Sequence, residues 1–164
     1  DTLSEQQWLE QRELMAVIPK SALYLGLAGV LPFSWGVLTI YLPALSEWTT
    51  KMIGPRFVGP YVQLFYGAVI LSFMSGVLWG FATKMDGKQA AIGYTLSVLP
   101  ALWAFFMTGG GPDTASQNLI VGFIALLALD WYFWTSGQAP IWWIRLRLIL
   151  TGLVILCLVL GKLA

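Results

Sequence analysis

Five runs of about twenty apolar residues, cut apart by short breakers, leave this chain little choice of fold. A bilayer core about 30 Å thick is crossed by roughly 20 residues of helix. The runs lie at residues 21–41, 61–83, 89–108, 117–135 and 141–161. Between them stand Gly54-Pro55 and Gly59-Pro60, the charged turn Lys84–Lys88, the run Gly109–Asp113, and Gly137–Pro140; Gly and Pro at these points end helices and start turns. No run alternates in the way a barrel strand does, so helices must satisfy the backbone in lipid. The expected fold is all-α, an integral membrane bundle of five transmembrane helices with short interfacial helices. Residues 1–20 read as an N-terminal interfacial segment and 21–164 as the five-helix transmembrane domain. Composition agrees: 58% of residues are hydrophobic and only 10% charged, against roughly 45–50% and about 25% in globular proteins. So little charge excludes a soluble domain, a disordered chain or a nucleic-acid binder.

Five spans place the termini on opposite sides, and the basic residues orient them. Arg12, Lys20, Lys84, Lys88, Arg145 and Arg147 belong to the N-terminal side; Lys51, Arg56 and Lys162 belong to the other. The expectation is an N-terminus inside, in a bacterial cytoplasm or a mitochondrial matrix. Two segments are expected to lie on the membrane surface. Ser4–Gln7 has capping-box spacing, followed by Trp8, Leu9, Arg12 and Met15 up to Pro19. Pro43–Ile53 puts Leu45, Trp48 and Met52 on one face, with Glu47 and Lys51 paired on another. Because the sequence starts at Asp1, a further N-terminal stretch such as a targeting peptide is expected upstream.

Within the spans, small and polar residues carry the information. Ala68, Ser72, Gly76 and Gly80 recur every four residues on the second helix, forming a row that lets another backbone approach closely. Gly67 and Ser75 broaden it, and Ala22, Gly26, Gly29 and Gly93, Ser97, Ala101 are partial counterparts on the first and third helices. The second helix is therefore expected to be the hub, with that row as its packing face. Only three ionisable residues lie inside a span: Asp130, Arg145 and Arg147. All three fall at a depth of about 6–9 Å from the last turn, at 1.5 Å per residue. An ion pair is expected between Asp130 and one arginine. The arginines are about 200° apart around their helix, so the other is left for lipid headgroups or a partner protein. Nine tryptophans, many near helix ends, read as an aromatic belt, and Cys157 as apolar packing.

Three stretches, Ile18–Phe33 (IPKSALYLGLAGVLPF), Tyr66–Gly80 (YGAVILSFMSGVLWG) and Pro140–Thr151 (PIWWIRLRLILT), resemble the transmembrane-protein-69-like family. These are small multi-pass membrane proteins of bacteria and mitochondria, defined by a domain of unknown function. Tyr66, Gly67, Ser72, Phe73, Gly76, Trp79, Gly80, Trp143, Arg145 and Arg147 carry the match. Leu78 stands where a basic or polar residue often precedes the tryptophan. The resemblance implies membrane residence and neither an activity nor a cofactor.

With zero His and one Cys, the chain has no histidine base, no ligand cluster and no internal disulfide. Asp130, Ser72 and Tyr66 lack nucleophile–base spacing, so no catalytic residue, metal or cofactor is expected. The leading expectation is a non-catalytic accessory or assembly subunit of a larger energy-converting complex, respiratory or photosynthetic. Its partners would be membrane lipids and other subunits of that complex. The alternative is a small stand-alone transporter or a lipid- or quinone-binding membrane protein. The absence of repeats and of discontinuous helices argues against transport.

Overall fold

A computed structural model describes residues 4–164; Asp1–Leu3, the start of the expected interfacial segment, lie outside the described residues. Every regular element among the described residues is helical, and five helical stretches are long and apolar enough to cross a membrane. Helix α1 spans Glu5–Met15, α2 Lys20–Ala28, α3 Leu31–Tyr41 and α4 Pro43–Ile53. A 3₁₀ turn at Pro55–Phe57 leads into α5 (Tyr61–Ala82), followed by α6 (Gly87–Met107), α7 (Pro112–Thr135) and α8 (Trp143–Lys162).

The capping box at the start of α1 is formed: Ser4 Oγ accepts from the Gln7 N–H at 3.4 Å, and Gln7 Oε1 accepts from the Ser4 N–H at 2.9 Å. Helix α1 buries no side chain, and its last turn shares a shallow recess with Pro140 and Trp142. In α4, Thr49 alone is buried, while Trp48 and Met52 are exposed.

Two expectations about the spans need correction. The first span is not one rod. Pro32 has no N–H to offer the Ala28 carbonyl, and the helix breaks at Gly29–Val30 into α2 and α3. The span is interrupted there without unwinding, since Gly29 and Val30 both keep right-handed helical backbone angles. The fourth span begins at Pro112 instead of Gln117, because Pro at the first turn and Asp113 beside the helix N-terminus both favour an early start.

Helix α5 is the hub, packing against α3, α6 and α7, while α8 lies against α7, α3 and α2. Phe33, Leu71, Leu78, Leu119, Leu126, Phe133 and Leu158 form a fully buried centre. The packing face of α5, however, is not the expected row. Ser72, Gly76 and Gly80 are exposed and Ala68 half-buried; the buried face is Gln63, Leu64, Gly67, Leu71, Met74, Ser75, Leu78 and Ala82. Four residues turn a helix by about 400°, so an every-fourth row drifts about 40° per step and leaves any straight neighbour. Mixed spacings of three and four stay in line. Among the small residues that do admit neighbours are Gly67, where a Cβ would lie 2.8 Å from Leu119 Cδ1, and Gly93, where it would meet Met85 Sδ at 2.9 Å.

The outside of the bundle is more apolar than parts of its inside. Phe105 and Phe106 are 78% and 71% exposed, whereas Asp130 and Gln63 are 0% and 2% exposed. That inversion suits lipid as the surrounding medium.

Candidate functional site

Polar groups inside the bundle are tied across helices. Asp130, on α7, accepts from Arg147 Nε at 2.8 Å through Oδ2 and from Trp143 Nε1 at 3.1 Å through Oδ1. Both charged residues are buried, Arg147 at 5% exposure. Arg147 Nη2 also donates to Thr151 Oγ1 at 3.4 Å, one turn further along α8. The hairpin loop Ser136–Trp142 aligns the helices so that residues equally far from the turn meet. The structure thus selects Arg147 as the partner of Asp130 and leaves Arg145 exposed, with no hydrogen-bond or ion-pair partner among the described residues. Trp143, read from sequence as part of an aromatic belt, is a ligand of the carboxylate.

A second tie was not legible as a site. Gln63 Nε2 donates to the carbonyls of Phe33 at 3.0 Å and Cys157 at 3.2 Å, joining α5 to α3 and α8. Close approach is possible because Gly36 and Gly161 face it: a Cβ at Gly161 would lie 2.8 Å from Gln63 Oε1. Ranking only ionisable residues passes over an amide; the signal was an uncharged polar side chain inside an apolar run. Near it, Thr39 Oγ1 donates to the Gly36 carbonyl at 3.0 Å and accepts from the Gly59 N–H at 2.7 Å, fastening α3 to the loop before α5.

A third tie repairs a helix. Pro100 interrupts the α6 ladder, and the Ala101 N–H donates across the interface to Ser75 Oγ at 2.8 Å. Tryptophans also hold chain to chain, with Trp103 Nε1 on the Asn118 carbonyl at 2.7 Å and Trp35 Nε1 on the Phe57 carbonyl at 2.9 Å.

The two ends are fastened separately. Lys84 Nζ donates to the Gln138 carbonyl at 3.1 Å, joining the second and fourth inter-span loops. At the other end Lys162 Nζ pairs with Asp113 Oδ1 at 2.6 Å. Of the residues singled out in the sequence, Asp130 and Arg147 come together, Arg145 stands apart, Ala68 packs at the edge of the core, and Ser72, Gly76 and Gly80 face outward.

A bundle apolar outside, with its amides and charges tied within, defines a polytopic α-helical membrane protein. The chain belongs to the family described as protein of unknown function (DUF3429), whose model matches residues 18–163. It is similar to transmembrane protein 69 of Xenopus tropicalis, 35% identical over 145 residues covering 86% of this chain and 53% of that one. Transmembrane protein 69 of Mus musculus is 32% identical over 137 residues, covering 81% and 51%. The chain thus spans about half the length of the curated relatives it matches. No solved structure matches it.

Proposed function

We propose that this chain is a non-catalytic accessory subunit of a larger energy-converting complex in a bacterial or mitochondrial inner membrane, with its N-terminus inside. The observation that carries this reading is the outward face of the hub helix. Ser72, Gly76 and Gly80 are exposed, and nothing lies within 4 Å of where a Cβ at Gly76 or Gly80 would sit. In lipid, helices associate through such small-residue faces because apolar burial gives no drive there, so the occupant that fits is a transmembrane helix of another protein. Arg145 supports the same reading. A cation at the start of an apolar helix, unpartnered among the described residues, calls for a partner's carboxylate or an anionic headgroup. With zero His and one Cys, the side-chain inventory suits support better than chemistry, and the excess of Lys and Arg on the N-terminal side favours the stated orientation.

Gentle solubilisation followed by a native gel and mass spectrometry tests the proposal. Co-migration with respiratory or photosynthetic subunits is expected, whereas migration as a monomer or homo-oligomer would overturn it. The double variant Gly76→Leu/Gly80→Leu should fold normally, since both sites are open within the chain, yet leave the larger particle. Its retention there would remove the row as the contact.

A further inference from the structure

We propose that the cavity between α2, α5 and α8 is a binding site for a neutral, carbonyl-bearing lipid. The cavity holds about 440 Å³, within the size range of small-molecule sites. Phe33, Ile70, Met74, Leu150 and Val154 line its walls. Leu25, Val69 and Phe73 rim it and are 75%, 57% and 64% exposed. In a chain that spans a membrane these rim residues face hydrocarbon, so the entrance is lateral and the ligand comes from the bilayer. The break in the first span helps open it, with Gly26 and Gly29 on the rim; a Cβ at Gly29 would lie 3.9 Å from Tyr66 Oη.

The polar groups of this cavity are what give it a ligand chemistry. Arg147, Thr151 and Tyr66 all line it. Arg147 spends Nε on Asp130 and one Nη2 bond on Thr151, and Nη1 has no acceptor among the described residues. Tyr66 Oη likewise makes no hydrogen bond among the described residues. A guanidinium carries five N–H donors, and donors left unmet in an apolar medium are costly. Both groups stand on the lining of one cavity, and an oxygen acceptor on an otherwise apolar molecule supplies the partner that either lacks.

Charge decides which acceptor. Asp130 already neutralises Arg147 at 2.8 Å, so an anionic head would add an uncompensated charge to a low-dielectric site. A neutral carbonyl adds none. That chemistry has two sources in a membrane, the ring carbonyl of a prenylated quinone and the ester carbonyl of an acylglycerol.

The test uses the full chain in detergent, with decyl-ubiquinone, dioleoylglycerol and oleate as probes, read by native mass spectrometry and thermal shift. One of the two neutral probes should bind saturably at one equivalent, and the tighter identifies the source. Tyr66→Phe should weaken it roughly three- to tenfold, the loss of about one hydrogen bond. Val69→Trp, which fills the mouth from an exposed position, should weaken it by about tenfold or more, the equivalent of roughly 1.4 kcal/mol, with the melting temperature of the ligand-free protein unchanged. Unsaturable uptake, unaltered affinity in either folded variant, or tighter binding of oleate would overturn the proposal.

Discussion

Asp130 depends on groups from a single neighbouring helix, and its replacement shows what a buried charge is worth. Asp130→Asn leaves Arg147 charged and uncompensated at 5% exposure, and breaking such a pair costs about 3–5 kcal/mol. Asp113→Asn removes a carboxylate that is 85% exposed where it meets Lys162, a loss of at most about 1 kcal/mol. Melting in detergent should therefore separate the two variants clearly; equal melting temperatures would dismiss the buried pair as a stabilising element. Gln63→Leu tests a neutral tie in the same assay. It abandons two carbonyl contacts, and because interhelical hydrogen bonds in membranes average about 0.6 kcal/mol, a loss near 1 kcal/mol is expected. Gln63→Glu should be worse, since it buries a carboxylate with no cation given to it. The sequence narrowed the charged partners to three residues but not to two, because both arginines lie within reach in depth and only the rotation of α8 distinguishes them.

Elements show where reading by period succeeds and where it misleads. Span positions followed from apolar length and from Gly and Pro breakers, physics local to the chain. The hub helix was the expected one but not for the expected residues: Ser72, Gly76 and Gly80 of the row face outward, and the small residues that α5 buries are Gly67 and Ser75. Which face of α5 packs did not, because an every-fourth row marks an exposed strip as readily as an interface until a neighbour's direction is known. Pro32 lies inside the run read as one span: a proline in an apolar run is compatible with a bend or a break, and tertiary contacts decide. At Pro100 the neighbour compensates, which yields a double-mutant prediction. Ser75→Ala alone should destabilise by about 1–2 kcal/mol, leaving the Ala101 N–H unmet. In a Pro100→Ala background, where α6 regains its own ladder, the same change should cost markedly less. Additive losses in denaturant titrations would exclude the cross-helix repair.

For the molecule as a whole, the arrangement of ends is the checkable quantity. The recess shared by α1 with Pro140 and Trp142, together with the contact of Lys84 with Gln138, groups the N-terminal helix with the second and fourth inter-span loops. Single cysteines at Gln6 and Lys88 should react with an impermeant maleimide from one side of sealed vesicles, and a cysteine at Lys51 from the other. Cys157, buried in the bundle, should give no background label; labelling of Gln6→Cys and Lys51→Cys from the same side would contradict the topology. The tie between α7 and α8 also bears on how the protein is made. An Asp or an Arg at the centre of a lone helix opposes entry into lipid by about 2.5–3.5 kcal/mol; Asp130 and Arg147 lie nearer one end of their helices and face a smaller opposition, which their pairing removes only when both helices are present. A ribosome-bound chain that has released α7 but not α8 holds a bare carboxylate at the translocon. The last two spans should therefore leave the insertion machinery as one hairpin.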